Sequence, residues 1–458
     1  MQSMFREVLA GIPDYQVFFT VDELNARLED VSKGHRDVKK IVLGHSRRGS
    51  PIYALEIGHG PRTGFIFGAP HPNEPIGTMM LDFFVTKLVK DRAFREWTGL
   101  RWVIIPCADP DGMRLNEGWF KGPFTPLNYA RNFYRPPHFE QVEWTFPVDY
   151  KTLHFDSPLP ETKALMRVIE VERPIFMYSL HNAGFGGAYY YVSQRCEEVY
   201  ADLREAAQAQ SIPLSLGEPE MPYARGLSDA VYLMPSIYDQ YEYIAQFSGR
   251  DPAEIIKGGA GSTDYARRFV PHIFSLVTEV PYFYDPRIED TSETSVSRRE
   301  AVLEGIALQR AMYNDIATAY KGLVIQEDFS SPFLTAIAEY IRRTPSYLAA
   351  KEKWALTTPE VDRPATVAEV FDNLVVTRFY GMLVYGMLLR LCAELLSVGT
   401  GLASSAVRFI QDNVEQALLR HDQSLTKDLN YEVIPIQRLV AVQLVAGLCV
   451  VNWLNKGR

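Results

Sequence analysis

The sequence has few cysteines and no long block of basic residues, and its first residues do not predict a secretory signal. Four cysteines lie far apart in 458 residues and show no CxxC spacing: Cys107, Cys196, Cys392 and Cys449. This spacing argues against a disulfide framework and a cysteine-rich metal site. No apolar leader precedes Asp14, so we expect reduced thiols in a cytoplasmic protein.

The charge and the apolar stretches narrow the choice of partners. A net charge of −9 and a pI near 5.6 do not indicate the basic surface that binds nucleic acid. Nucleic acid is therefore not an expected partner. Phe379–Val398 contains Arg390 and Glu394, and Leu439–Val451 is only 13 residues long. A spanning helix needs about 20 apolar residues. We therefore expect buried helices and no membrane partner.

The first half alternates β-branched apolar runs with amphipathic stretches, which is typical of helices packed on a mostly parallel sheet. The predicted strands are Lys40–Gly44, Pro51–Ile57, Gly64–Ala69, Trp102–Cys107, Ile175–Leu180, Ala188–Ser193 and Ile273–Thr278. The predicted helices between them are Val21–Val31, Ile76–Lys90, Glu161–Glu172 and Val199–Ala209. Met113–Asp156 and Gly217–Ala260 are predicted to be long functional loops.

From about Ser295 the pattern becomes helical throughout. The predicted helices here are Arg298–Tyr320, Pro332–Arg343, Val367–Val398, Ser404–Arg420 and Pro435–Leu454. The change of pattern predicts two domains, an α/β domain at 1–320 and an α-helical domain at 321–458.

Three predicted strands run directly into residues that bind metals or transfer protons. They lead to His71 and Glu74, to His181, and to Glu279. In an open α/β sheet, functional groups collect beyond the carboxyl ends of the strands. Two imidazoles and one carboxylate are a ligand set of catalytic zinc, which leaves a position for water. The sequence therefore predicts a zinc hydrolase site with His71, Glu74 and His181 as ligands.

Glu279 lies in the apolar segment Leu-Val-Thr-Glu-Val-Pro-Tyr. A carboxylate in such surroundings is costly unless it has a partner or a task. Acting as the general base for metal-activated water is such a task.

Seven motifs in a fixed order then identify a family. They are His45-Ser-Arg-Arg-Gly-Ser-Pro-Ile-Tyr-Ala-Leu-Glu56, His71-Pro-Asn-Glu74, Asp109-Pro-Asp-Gly112, Arg131-Asn-Phe133, Ser179-Leu-His181, Gly261-Ser-Thr-Asp264 and Thr278-Glu279. In this order the chain resembles the zinc metallocarboxypeptidases of the carboxypeptidase A type. The resemblance covers roughly residues 45–280.

The resemblance implies a mixed, mostly parallel twisted sheet of eight strands flanked by helices. It also implies one zinc ion per chain and hydrolysis of an amide near a free carboxylate. Carried over, Glu279 activates water and passes the proton to the leaving amine, while Arg131 and Asn132 bind the substrate carboxylate.

Three departures from the family pattern affect substrate recognition. Ala130 stands where the family has asparagine. The arginine that polarises the scissile carbonyl has no match at its usual offset, so Arg114 or Lys121 could serve, with Arg114 preferred for its planar donors. Thr263 at the pocket floor indicates a small or neutral substrate group.

We consider three functions. The first is release of a C-terminal amino acid, or cleavage of a related amide, in a short or modified peptide. The second is an N-acyl amino acid deacylase, resembling the desuccinylases, that uses the same zinc site. The third is a scaffold without activity, which the retained ligands and Glu279 argue against. The apolar helices Val367–Val398 and Pro435–Leu454 are expected to pack on the sheet domain, to form a homo-oligomer, or both.

Overall fold

The structure, a computed structural model, describes residues 3–35, 37–398, 401–427 and 429–457. Its strands are β1 (Val38–His45), β2 (Pro51–Ile57), β3 (Thr63–Phe67), β4 (Arg101–Ile105), β5 (Val148–Tyr150), β6 (Leu153–Phe155), β7 (Phe176–His181), β8 (Tyr189–Val192), β9 (Arg225–Ser228), β10 (Val231–Leu233), β11 (Phe274–Glu279), β12 (Phe283–Tyr284), β13 (Glu293–Ser297), β14 (Pro364–Thr366) and β15 (Glu432–Val433). Its α-helices are α1 (Ser3–Ala10), α2 (Val21–Ser32), α3 (Ile76–Lys90), α4 (Arg92–Thr98), α5 (Pro110–Asn116), α6 (Pro126–Asn132), α7 (Pro160–Glu172), α8 (Glu197–Gln208), α9 (Ile237–Phe247), α10 (Pro252–Ile255), α11 (Ser262–Ala266), α12 (Arg298–Lys321), α13 (Pro332–Thr357), α14 (Val367–Phe371), α15 (Thr377–Val398), α16 (Gly401–Lys427) and α17 (Ile436–Lys456). Short 3₁₀ turns lie at Glu117–Trp119, His138–Glu140, Val142–Trp144, Pro286–Glu289 and Pro359–Val361.

The main sheet of the described chain has nine strands in the order β1-β2-β4-β3-β7-β11-β8-β10-β9. The central strands β4, β3, β7 and β11 are parallel to one another, and antiparallel pairs lie towards both edges. The α/β class and the helical C-terminal region are confirmed, and each of the seven predicted strands is present.

The sheet departs from the expected eight strands because segment 217–260 is not one long loop. It contains the edge strand β9, its neighbour β10 and the helix α9. The helix begins where Ser236 and Asp239 form a reciprocal capping box. Segment 113–156 likewise contains α6, three 3₁₀ turns and the β5–β6 hairpin.

Hydrophobic clusters cover both faces of the sheet. Along β3, Ile66 belongs to one cluster, whereas Phe65 and Phe67 belong to the other. All five β3 residues are buried, as expected of a parallel strand covered by helices on both sides. The carboxyl end of this strand is thus held rigidly in the centre of the protein.

The helical C-terminal region packs on the same core. Helix α17 contacts α3, α8, β7 and β11, and its buried side chains belong to the cluster that contains Ile66. The boundary between 1–320 and 321–458 stays a prediction, but the two parts share apolar packing.

Two predicted helices differ from those observed. The helix that begins at Pro332 continues past Arg343 and through Pro345 to Thr357, although proline removes a backbone donor. The predicted helix Val367–Val398 is interrupted by a π-helical turn at Asp372–Val376. Such turns are frequent at functional sites, and this one borders the cavity described below.

Within the described residues, two helical segments are long and apolar enough to cross a membrane by length and composition. They are Val367–Val398 and Ile436–Lys456, and 78% of the most apolar window of Ile436–Lys456 is buried inside the protein. That burial is what a core helix would show. The absence of a membrane partner stays a prediction.

A buried acid at the start of α5 predicts a pH-dependent stability. Asp109 Oδ1 accepts a hydrogen bond from the Gly112 N–H at 2.9 Å, while Oδ2 is buried without a partner among the described residues. Burial raises the pKa of Asp109 to about 7. Between about pH 4 and 7 the folded state therefore binds more protons than the unfolded state, and stability falls as the pH rises through this window.

We expect Asp109→Asn to remove this dependence, because asparagine keeps the capping oxygen and does not titrate. Above pH 7 the free energy of unfolding should exceed that of the wild type by roughly 1–3 kcal/mol, and near pH 4 the two should converge. Urea denaturation across this pH range measures the difference. An equal difference at pH 4 and pH 8 would refute the buried-acid explanation.

Candidate metal centre

The register of the sheet places the candidate residues at one edge. Strands β7 and β11 are parallel neighbours, and Glu279 is paired with His181 in their register. Strand β3 is parallel to β7 on its other side, and the chain leads from β3 into His71 and Glu74. All four side chains therefore come from the carboxyl ends of adjacent parallel strands.

The segment between β3 and α3 is held tightly against β7. A Cβ on Gly77, in the first turn of α3, would lie 2.6 Å from the Cβ of Leu180, so only glycine permits this close approach of helix and strand. The Ile76 N–H donates to Asn182 Oδ1 at 3.2 Å. These contacts fix the loop that carries His71 and Glu74.

The three predicted ligands meet in the structure. Glu74 lies between two imidazoles: the Nδ1 atom of His71 is 3.2 Å from both of its carboxylate oxygens, and the Nδ1 atom of His181 is 3.1 Å from Oε2. One nitrogen of each imidazole and one oxygen of Glu74 lie within 4.8 Å of one another. All three residues are buried.

This donor set fits a zinc ion. Two ligands of a tetrahedral zinc, each about 2.0–2.2 Å from the ion, lie about 3.4 Å apart, which is close to the observed contacts. Two nitrogens and one carboxylate oxygen are also the donor types that catalytic zinc sites use. Each imidazole presents Nδ1 to the carboxylate, so a shared cation would bind these atoms.

The electrostatics of the centre favour a cation. Burial alone would lower the pKa of His181, but Glu74, Glu279 and Glu143 outweigh it and raise the pKa to about 9. Burial would raise the pKa of Glu74, yet His71 and Arg135 hold it well below its usual value. Burial and Arg135 lower the pKa of the His71 imidazole to about 3.

Glu279 lies directly beside the ligands without being one of the three. Its Oε1 atom is 3.7 Å from His181 Nδ1. Burial raises the pKa of Glu279 well above its ordinary value, and nearby Glu74 adds to the rise, although His181 opposes it. A buried carboxylate with a raised pKa is suited to accept a proton.

The centre opens into a cavity of ≈ 550 Å³. One wall comes from the α/β part and includes the four candidate residues and Thr263. The other wall comes from the C-terminal helices and includes Gln309, Lys351, Asp372, Asn373 and Tyr380. Helices that the sequence left without a role thus line one side of the cavity.

Comparison with known proteins agrees with this arrangement. The model of the zinc carboxypeptidase family matches residues 24–266, more than half of the chain. The chain belongs to the zinc carboxypeptidase family. The resemblance predicted from the seven motifs is confirmed.

Solved structures give weaker likenesses. Carboxypeptidase A from Helicoverpa armigera is 14% identical, with 78% of this chain and 80% of that chain covered and a TM-score of 0.38. Bovine thrombin-activatable fibrinolysis inhibitor, in complex with tick carboxypeptidase inhibitor, is 14% identical. The match covers 75% of this chain and 97% of that chain, with a TM-score of 0.37. At such TM-scores these structures add nothing to the family match. A search of curated proteins finds no match.

Arg114 and Lys121, the two cations considered for polarising the carbonyl, lie away from the metal centre. Arg114 pairs with Asp22 at 2.6 Å on the outside of the protein, and Lys121 pairs with Glu23 at 2.6 Å. Neither residue lines the cavity. The long segment after Asp109 folds into α5 and a 3₁₀ turn, which direct both side chains towards α2.

Arg131 and Asn132 also lie outside the cavity. Arg131 forms an ion pair with Glu415 of α16, and Asn132 Nδ2 donates to the Asn128 carbonyl within α6 at 3.0 Å. The carboxylate-binding role expected of them does not fit these positions. Thr263 does line the cavity, and its hydroxyl contacts Met234 Sδ at 2.9 Å.

Arg135 is a cavity residue that the family motifs did not predict. Its Nη1 atom donates to Glu74 Oε1 at 2.8 Å, and its side chain is partly exposed to the cavity. Among the described residues, Arg135 and Lys351 are the lysine and arginine side chains that line the cavity. The available signal was its location in the long segment 113–156.

Proposed function

We propose that the protein is a zinc-dependent carboxypeptidase that releases a C-terminal amino acid, or cleaves a related amide, from a short or modified peptide. The observation that carries the proposal is the register that places Glu279 beside His181, with Glu74 between the two imidazoles. His71, Glu74 and His181 would hold the ion. When bound, zinc supplies Lewis acidity and makes water a nucleophile near neutral pH.

The protein's own side chains supply the proton transfers and the charge stabilisation. Glu279 accepts the proton of the attacking water and then delivers it to the leaving amine. Arg135, held by Glu74, stabilises the negative charge that develops on the carbonyl oxygen. This gives Arg135 the role for which Arg114 or Lys121 was considered from the sequence.

The proposed substrate is small. A volume of ≈ 550 Å³ lies within the range of pockets that enclose small ligands, about 300–1,000 Å³. The wall formed by Gln309, Lys351 and Tyr380 restricts the room beyond the centre. A substrate carboxylate inside this cavity would pair with Arg135 or Lys351, and no ion pair of Lys351 is found in the described part of the chain.

A substrate panel tests the proposal and separates it from the deacylase alternative. We expect amino acid release from short peptides with free C-termini and release at least about 100-fold slower from their amidated forms, because the carboxylate loses its partner. Cleavage of N-succinyl amino acids without cleavage of peptides would favour the deacylase. No hydrolysis in any arm by zinc-loaded protein would contradict both.

A matched pair of arginine variants tests the role of Arg135. We expect Arg135→Gln to lower kcat/KM roughly 100-fold with zinc retained, as loss of a transition-state donor does. Arg131→Gln, four residues away and outside the cavity, should stay within about threefold of the wild type. Equal losses in both variants, or a loss confined to Arg131→Gln, would contradict the role proposed for Arg135.

Localisation and assembly remain proposals. The four cysteines are free and buried, which supports the expected reduced, cytoplasmic protein. Assembly through the helical region stays a prediction.

A further inference from the structure

A buried acid, Glu143, lines the cavity close to the metal centre. It belongs to the 3₁₀ turn Val142–Trp144 and is 6% exposed. It accepts hydrogen bonds from the Ser262 hydroxyl and from Ser179 Oγ, the latter at 3.2 Å. Because a carboxylate has no hydrogen to donate, both hydroxyls must donate to it.

The Ser179 hydroxyl connects Glu143 to a candidate ligand. Its oxygen lies 2.8 Å from the Nε2 atom of His181. Ser179 and His181 are two residues apart in β7 and therefore share one face of the strand. Since the Ser179 hydrogen is committed to Glu143, its oxygen must accept a hydrogen from His181 Nε2.

In the neutral form that binds a metal, this direction of hydrogen bonding fixes the tautomer of His181. A neutral imidazole carries one N–H, and when Nε2 holds it, Nδ1 keeps a free lone pair. The Nδ1 atom is the one that lies 3.1 Å from Glu74 and 3.7 Å from Glu279. The chain of hydrogen bonds thus turns the lone pair towards the space between the ligands.

We propose that Glu143 is a positioning residue for the metal centre. Acting through Ser179, it holds His181 in the tautomer and orientation that bind zinc. A partner that orients a metal-binding imidazole in this way typically changes metal affinity by about 10- to 100-fold. The proposal rests on the proposed function, because it takes His181 as a ligand.

Asp264 provides a matched control. It also is an acid that lines the cavity, but its carboxylate accepts from the Ile237 N–H at 2.9 Å. No hydrogen bond joins it to His181 in the described structure. A change at Asp264 therefore alters the charge of the cavity without breaking the chain from Glu143 to His181.

The test measures zinc affinity by competition with a chelator, using the full chain. We expect Glu143→Gln and Ser179→Ala each to bind zinc about 10- to 100-fold more weakly, and Asp264→Asn to stay within about twofold of the wild type. The double variant Glu143→Gln/Ser179→Ala should bind zinc no more than about threefold more weakly than Ser179→Ala alone. Both substitutions break the same series of hydrogen bonds from Glu143 to His181. The visible absorption of bound cobalt(II) should change in the two single variants and not in Asp264→Asn.

Wild-type zinc affinity in both single variants would overturn the proposal, and so would losses that multiply in the double variant. If Glu143→Gln does not fold, Ser179→Ala decides alone, and wild-type affinity there overturns it. Failure of the proposed function gives a different result, since the wild type would then bind no zinc or hydrolyse no substrate. Normal zinc binding and turnover in Glu143→Gln would remove only the role of Glu143.

Discussion

Glu279→Gln should keep its zinc and lose nearly all turnover. The amide has nearly the shape of the carboxylate but cannot accept a proton, so the attacking water loses its base. Such a base contributes about 100-fold or more to the rate, or ~3 kcal/mol of barrier. Steady-state kinetics on a free C-terminal peptide, combined with zinc analysis, measure both properties.

A second acid in the same cavity serves as the control. Glu220 lines the cavity and accepts a hydrogen bond from the Tyr191 hydroxyl at 2.8 Å, but it has no contact with the three ligands among the described hydrogen bonds and ion pairs. We expect Glu220→Gln to stay within about threefold of the wild type. Full activity in Glu279→Gln would place the base elsewhere.

A chain that ends at residue 320 should be insoluble. Helix α17 contributes nine buried leucine, isoleucine and valine side chains to the core, and each such side chain stabilises by about 1.5–3 kcal/mol. Their summed contribution, about 14–27 kcal/mol, is as large as or larger than the total stability of a typical domain, ~5–15 kcal/mol. The truncation also exposes the apolar surfaces of α3 and α8 on which α17 packs.

The same helix supports the metal centre directly. Gln443 Nε2 donates to the His181 carbonyl at 2.8 Å, and the Tyr178 hydroxyl donates to the Gln443 carbonyl at 2.7 Å. Soluble yield and zinc content of the truncated chain measure the effect. Co-expression of residues 321–458 should restore solubility, whereas a soluble, active fragment without them would contradict this dependence.

The position of the metal ligands could be predicted because the sheet determines it. Strands β3, β7 and β11 each carry a clear apolar pattern, and parallel strands end at a common edge. The four candidate residues lie at or just beyond the carboxyl ends of these strands: His71, Glu74, His181 and Glu279. Their location at a common edge therefore follows from the parallel arrangement of the strands. The structure places all four together.

The substrate-facing residues could not be predicted in the same way. Arg131 was matched by motif spacing, but the segment around it folds into α6 and directs it to Glu415. Arg135 and Glu143 face the centre because of tertiary packing, for which local sequence gives no periodic signal. Lys351 and Tyr380 come from helices more than 70 residues beyond Glu279, and only the folded chain brings them to the cavity.

The central claim is that His71, Glu74 and His181 hold one zinc ion in the cavity. The most direct test is elemental analysis of purified wild type and of His181→Ala. The control is His272→Ala, because His272 is exposed and precedes β11, at the opposite end of that strand from Glu279. We expect about one zinc per chain in the wild type and in His272→Ala, and almost none in a folded His181→Ala protein. Equal zinc in all three proteins, or none in the wild type, would contradict it.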